Sequence, residues 1–309
     1  MSEVLRIGLV GLGKIARDQH LPAIAATSGA ELVAVASRNA SAEGVANYPD
    51  INSMLAGVSG LDAVVLCQPP QARFDAARRV LEAGKHVFLE KPPGATVREV
   101  EVLAAIAESR RVTLFASWHS RYGTGVAPAR DWLRGRALRG VTISWKEDVR
   151  HWHPGQEWIW EPGGFGIFDP GINALSILTQ IVGEPILLTD AELEVPTNRQ
   201  APIAASLRMR TAAGAPIEAE FDWRQTGPQS WDIAVETEAG SMLLSHGGNC
   251  LSIDGTPQPL DEESEYPSMY RHFVALTRSC RSDVDTRPLQ LVADAFLCGR
   301  HCPTDAFAD

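Results

Sequence analysis

The sequence predicts an α/β chain in which an N-terminal doubly wound parallel sheet is followed by a C-terminal α+β domain with an open, mostly antiparallel sheet. Three observations predict it. Up to about residue 120, short and nearly continuous apolar runs alternate with stretches of helix length. The first of those runs ends in a glycine turn, Gly11-Leu12-Gly13-Lys14-Ile15-Ala16. From residue 186, strand patterns follow one another with no helix between them, as antiparallel neighbours do. A chain of 309 residues, 45% of them apolar, also holds more core than one domain uses, and the division expected is 1–122 and 123–309.

In the first half, strands are expected at 5–10, 31–37, 62–68, 86–90 and 113–118, each rich in Val, Leu, Ile, Phe or Ala as strands covered on both faces are. Pro22 suits a helical first turn, and Gln71 to Ala83 carries apolar residues near helical spacing. Thr96-Val97-Arg98-Glu99 is a capping-box pattern that opens a helix running to about Ser109. Val126 to Arg136 reads as a helix, 138–149 as a long strand, 150–166 as a loop rich in Trp, His, Gly and Pro, and 168–181 as an apolar helix. Strands then follow at 186–195, 203–211, 216–224, 231–237 and 241–245, with Glu238-Ala239-Gly240 as one turn, and helices near 267–280 and 289–301 close the chain. Across 207–224, Leu207, Met209, Ile217, Ala219, Phe221 and Trp223 alternate with Arg208, Arg210, Glu218, Glu220, Asp222 and Arg224, so one sheet face is core and the other charged.

With 28 Lys and Arg against 38 Asp and Glu the formal charge is −10, and no basic run exists. That balance argues against nucleic acid and anionic membrane as partners and for a small solute. No apolar stretch approaches the ~18 residues of a membrane span, and the start lacks a basic leader, so a cytoplasmic location is expected. Cys67, Cys250, Cys280, Cys298 and Cys302 are an odd, scattered set, which predicts reduced thiols. Neither His151 and His153 with His119, nor Cys298, His301 and Cys302 in the expected last helix, has the spacing of a structural metal site, and no metal is expected.

The GxGxxA turn sits where the first strand meets the first helix. Glycines there let the backbone approach a pyrophosphate held by helix N-terminal amides, which points to a dinucleotide against Gly11, Gly13, Lys14 and Ile15. After the second strand stands Ser37-Arg38, where a carboxylate would hold the adenosine ribose. A hydroxyl and a guanidinium would instead bind a 2′-phosphate, so NADP is expected to be preferred and NAD accepted; the alternative is that Arg38 is an ordinary surface arginine. The carboxyl ends of parallel strands form the ligand rim, which adds Cys67, Pro69, Glu90, Lys91 and His119 to the expected cofactor contacts. Lys91 could also be spent in an ion pair with Glu90, and His119 could be a satisfied core histidine.

Trp145, Trp152, Trp158 and Trp160 fall within sixteen residues, interleaved with Glu147, Asp148, His151 and His153. Ring faces lie well against the C–H faces of a pyranose, and carboxylates and imidazoles bind its hydroxyls. A sugar site is therefore expected to use His119, Glu147, Trp152, His153 and Trp231, while Trp145 and Trp158 pin the loop to the core. Asp169 and Asn173 stand four apart at the head of an apolar helix and share a face, although Asp169 could equally serve as a helix cap.

The glycine turn, Glu90-Lys91-Pro92, and Gly163-Gly164 leading to Asp169-Pro170-Gly171-Ile172-Asn173 together resemble the glucose-fructose oxidoreductase, inositol dehydrogenase and MocA family over nearly the whole chain. The resemblance implies a Rossmann domain that carries NAD(P), a second domain built on an open sheet, and a sugar or polyol substrate. It implies further that Lys91 lies beside nicotinamide and substrate, and that Asp169 is paired with the residue four positions on. That residue is usually histidine and is Asn173 here, whose amide cannot accept a proton, leaving Asp169 or Lys91 to receive it. Within the family, DPGINA together with WKEDVRHWHPGQEWIWEPGG is similar to the L-arabinose/D-galactose 1-dehydrogenase branch. That branch implies oxidation of an anomeric carbon to a lactone, with Lys91, Asp169 and Asn173 catalytic. The competing readings are a non-catalytic nucleotide-dependent sugar sensor and a reductase of another sugar carbonyl. Relatives pair through the open sheet face, but the charges on that face here predict a monomer or a weak homodimer.

Overall fold

The computed structural model describes residues 4–261 and 265–308. The chain divides into two compact units, Met1–His119 with Ser264–Thr286 and Ser120–Glu263 with Arg287–Asp309.

The first unit is built on six strands: β1 (Leu5–Val10), β2 (Ala30–Ala36), β3 (Ala46–Tyr48), β4 (Ala63–Leu66), β5 (His86–Leu89) and β6 (Leu114–Ala116). They are parallel throughout, in the order β3-β2-β1-β4-β5-β6. The order reverses direction between β1 and β4, the crevice at which doubly wound sheets bind ligands. The helices are α1 (Leu21–Ala26), entered through a π turn over Ala16–His20, α2 (Ile51–Gly57), α3 (Arg73–Glu82) and α4 (Val97–Arg110). The capping box forms as read: Thr96 Oγ1 accepts from the Glu99 amide at 3.2 Å, and the Glu99 carboxylate accepts from the Thr96 amide at 3.3 Å. Strand β3 and helix α2 were absent from the sequence expectation. Both are short, and β3 is an exposed edge of three residues without an apolar run.

The second unit opens with α5 (Val126–Leu133), β7 (Leu138–Lys146), α6 (Val149–Trp152) and α7 (Phe168–Ile181). It continues with β8 (Ile186–Pro196), β9 (Ala204–Thr211), β10 (Pro216–Asp222), β11 (Ser230–Thr237), β12 (Gly240–Ser245), β13 (Cys250–Ile253) and β14 (Thr256–Pro257). After α8 (Glu265–Arg278), which belongs to the first unit, come α9 (Arg287–Cys298) and β15 (Arg300–Thr304). The nine strands run β14-β13-β12-β11-β7-β10-β9-β8-β15, antiparallel except that β10 lies parallel to β7 and β15 parallel to β8. Helix α7 covers the apolar face. Phe168 meets the Phe221 ring edge-on at 6.0 Å, and a side chain at Gly171 would stand 3.3 Å from that same ring, so glycine lets the helix approach.

Two expectations are corrected here. The second domain is not continuous over 123–309, because α8 returns to the first unit. Its Tyr270 stacks on Phe88 at 5.1 Å and its Phe273 packs edge-on to Phe88 at 5.4 Å, while Asp283 extends the sheet by accepting from the Ala116 amide at 2.9 Å. A helix that buries its apolar stripe on β5 and β6 belongs with them. The last helix stops at Cys298 rather than 301, and His301 and Cys302 lie on the edge strand β15, so the imagined cluster with Cys298 does not form within one helix. Among the described residues no helix is long and apolar enough to cross a membrane.

Candidate active site

In the first unit the glycine turn leaves β1 with Gly11 at φ 89°, a left-handed conformation in which a side chain would also stand 3.0 Å from the Gln68 amide nitrogen. At Gly13 a side chain would meet nothing within 4 Å, so the backbone there faces open space at the start of the helical run. Beside this turn the Gln68 side-chain oxygen is buried with no hydrogen-bond partner among the described residues. Open backbone at a helix start and an unsatisfied acceptor suit a dinucleotide. Lys14 pairs with Asp18 one turn on, and Ile15 is 40% exposed. Ser37 and Arg38 follow β2, with the Ser37 amide donating to the Tyr48 carbonyl at 3.0 Å and the Arg38 side chain exposed. Cys67, a free thiol whose amide bonds the Val10 carbonyl at 2.9 Å, and the exposed Pro69 follow β4.

Glu90 departs from the expectation of a cofactor contact. It is 3% exposed, and its Oε1 accepts from Tyr266 Oη at 2.8 Å and lies 3.3 Å from His20 Nε2, while its Oε2 accepts the Lys91 amide. His20 is itself fully buried, with Nδ1 2.7 Å from Tyr270 Oη. Burial alone would lower the His20 pKa, but the hydrogen-bonded Cys67 sulfur and Glu90 carboxylate outweigh it and push it up to about 10. For Glu90, burial raises the pKa, and His20 outweighs that and holds it at about 2. A buried carboxylate next to Lys91 is therefore matched by an imidazolium rather than exposed at the rim.

Lys91 itself, half-buried, stands between two carbonyls that a single side chain holds. Arg73, 3% exposed in the first turn of α3, donates to the carbonyls of Glu90 and Pro92, and its Nε donates to that of Gln68 at 3.1 Å. His119 Nδ1 is hydrogen-bonded to Glu265 Oε2 at 2.6 Å, and its ring stacks on Tyr266 at 5.6 Å. His20, Arg73, Glu265, Tyr266 and Tyr270 escaped sequence reasoning, since nothing local marks partners that come from the far end of the chain.

The second unit carries the expected aromatic and acidic residues. Asp169 is 2% exposed and lies inside the first turn of α7, where Ile167 is the cap residue, so capping is not its role. Asn173, one turn on, is half-exposed on a helix otherwise buried through its first three turns. His153 brings its Nε2 to 3.3 Å from Asp169 Oδ2. Trp152 is 41% exposed, its Nε1 donates to Gln229 at 2.8 Å, and it meets Trp231 edge-on at 5.9 Å. These two indoles make an apolar corner. Glu147 is 6% exposed, and its two oxygens accept from Trp223 Nε1 at 3.1 Å and Trp231 Nε1 at 2.9 Å, so its carboxylate fixes both indoles. Trp145 is buried, as expected of a packing residue, and Trp158 is half-buried with Nε1 on Gln156 at 3.1 Å.

Residues 5–117 match the GFO_IDH_MocA model, an oxidoreductase family with an NAD-binding Rossmann fold. The galactose 1-dehydrogenase of Pseudomonas fluorescens is 46% identical over 305 residues, covering 99% of each chain. Among solved structures, a D-galactose-1-dehydrogenase from Rhizobium etli superposes with a TM-score of 0.95 at 54% identity, covering 100% of this chain and 99% of that one. A 3-ketoreductase from Actinomadura kijaniata, solved with NADP and TDP-benzene, superposes with a TM-score of 0.86 at 18% identity over 98% of this chain and all of that one, which shows the shared fold alone. With a parallel sheet whose glycine turn suits a nicotinamide dinucleotide, an open mixed sheet behind Asp169, and a full-length relative at this identity, the chain belongs to the Gfo/Idh/MocA family of nicotinamide-dependent oxidoreductases.

Proposed function

We propose that the chain is a cytoplasmic aldose 1-dehydrogenase that oxidises the anomeric carbon of D-galactose and L-arabinose to the lactone, with NADP+ preferred and NAD+ accepted. The observation that carries this reading is the full-length likeness, at 46% and 54% identity, to two galactose 1-dehydrogenases. Residues of the right chemistry support it: the buried carboxylate of Asp169, the amide of Asn173, the ammonium of Lys91 and the half-exposed Trp152 and Trp231 corner. When bound, the oxidised nicotinamide supplies the hydride acceptor. Lys91 would donate a hydrogen bond to the anomeric oxygen and favour its alkoxide, Asp169 would take the hydroxyl proton, and Asn173 would orient the hydroxyl. Arabinose and galactose share stereochemistry at ring carbons two to four and differ by a hydroxymethyl group, so a pocket open at that end accepts both. The preference for NADP+ rests on Ser37 and the exposed guanidinium of Arg38, which present a hydroxyl and a positive charge and no carboxylate.

The test is a spectrophotometric screen of pentoses and hexoses with NADP+ and NAD+. Reduction of the nicotinamide with galactose and arabinose, and a higher kcat/KM with NADP+, is the expected result. No reduction with any aldose would favour a sugar sensor, and turnover restricted to keto sugars with NADPH would favour a reductase.

A further inference from the structure

We infer that His153 is the group through which Asp169 passes on the hydroxyl proton, an inference that rests on the sugar-oxidising reading above. The tautomer of His153 can be worked out from its neighbours. The indole Nε1–H of Trp158 can only donate, so the Gln156 atom 3.1 Å from it is the amide oxygen, an acceptor. That same oxygen lies 3.3 Å from His153 Nδ1, and it too can only accept, so Nδ1 carries the hydrogen. The neutral ring therefore presents a bare Nε2 to Asp169 Oδ2, 3.3 Å away. One proton fits between the two atoms. With it in place, the pair is an imidazolium facing a carboxylate.

Both ring nitrogens of His153 are thus engaged within the protein. The ring is also pinned from the side. It lies against Trp223 at 5.4 Å, and Trp223 is held by Glu147 at 3.1 Å, so the Asp169 carboxylate faces the imidazole and that of Glu147 holds the indole beside it. The transfer balances without another reactant. In that transfer the anomeric O–H bond breaks and its proton binds the Asp169 carboxylate, while the oxidised nicotinamide, when bound, would take the hydrogen of the anomeric C–H bond as hydride. The proton then moves from Oδ2 to His153 Nε2, and Asp169 is again a carboxylate ready for the next hydroxyl. Asn173 cannot take part, since its amide has no basic site at neutral pH. Asp169 is 2% exposed, whereas the His153 side chain is 19% exposed, so the proton reaches water through the imidazole. His153 does not touch the reacting atoms; it is a positioning residue that acts through Asp169.

The experiment compares wild type with His153→Gln and His153→Ala in the purified full chain, using galactose and NADP+. Glutamine keeps a hydrogen-bond donor for Asp169 but cannot accept a proton. Both variants should lose kcat by ~100-fold, the scale of one proton-transfer partner, with sugar KM within ~3-fold of wild type. Imidazoles of increasing basicity added to His153→Ala should restore turnover in order of their basicity, which a purely structural role would not produce. Thermal unfolding and NADP+ binding check that the variants fold, and His153→Gln carries the test alone if His153→Ala does not. Near-normal kcat in His153→Gln would show that His153 only holds Asp169, and a raised KM at unchanged kcat would make it a sugar contact. Either result overturns the inference. Wild-type protein that oxidises no aldose overturns the sugar-oxidising reading and this inference with it, a result distinguishable from the variant outcomes.

Discussion

In the proposed reaction Asp169 would remove the proton of a hydroxyl group and Lys91 would stabilise the charge left behind. Each is held in a way that suits this. The Asp169 carboxylate is buried beside an imidazole, and the main chain on both sides of Lys91 is anchored by Arg73. Replacing either by alanine should lower kcat by at least ~100-fold while leaving NADP+ affinity nearly unchanged, as measured by initial rates and cofactor titration. Near-normal turnover in either variant removes that residue from the chemistry. The proposed preference for NADP+ rests on Ser37 and Arg38, and substitution of Ser37 to Asp would set a carboxylate where a 2′-phosphate is expected to lie. Ser37→Asp with Arg38 retained should raise the KM for NADP+ and shift preference toward NAD+, with kcat little changed because these atoms are remote from hydride transfer. A variant that still prefers NADP+ would place the adenosine ribose elsewhere.

At the scale of elements, the buried His20–Glu90 pair ties the π turn after β1 to the end of β5, and Tyr266 and Tyr270 bring α8 onto both. His20, raised from 6.5 to about 10, contributes stability that is fully present below about pH 6.5 and is lost as pH rises through 10. Glu90, lowered from 4.5 to about 2, contributes stability present above about pH 4.5 and lost as pH falls through 2. Both contributions are complete between pH 4.5 and 6.5. His20→Gln leaves the carboxylate buried without its charge partner, so urea unfolding should show a loss of about 3–5 kcal/mol in that window and a smaller difference toward pH 10. A pH-independent difference would mean that the pair is not ionised as inferred. The same region shows what the sequence makes legible. The glycine turn and the Thr96–Glu99 capping box were readable because every partner lies within a few residues. The buried partners of Glu90 and Glu147 are not legible in the sequence, because Tyr266 lies 176 residues from Glu90 and Trp223 lies 76 residues from Glu147. The start of strand β15 falls inside the helix expected over 289–301 for a related reason: Arg300–Thr304 has no apolar alternation, and only pairing with β8 makes it a strand.

For the whole molecule, the question left by the fold is whether the open face of the large sheet meets a second copy. Several of its charged side chains are already matched to one another within the face. Arg208 pairs with Asp190 at 3.3 Å, Arg224 with Glu194 at 2.7 Å and Asp222 at 2.9 Å, Arg300 with Glu192 at 2.7 Å, and Ser206 donates to Glu220 at 3.0 Å. Hydrogen bonding to Asp222, and then to Glu194, holds the Arg224 guanidinium well above its ordinary pKa, so that charge is fixed at every working pH. Burying such a face would desolvate paired charges and return little that they do not already have, and a formal charge of −10 on each copy adds repulsion at low salt. The chain should therefore scatter light as a monomer at low micromolar concentration in low salt, with at most weak association as added salt screens that repulsion. A dimer whose mass stays constant through dilution and across ionic strength would show instead that an apolar surface elsewhere joins two copies, since an interface built on these ion pairs would weaken as salt rises.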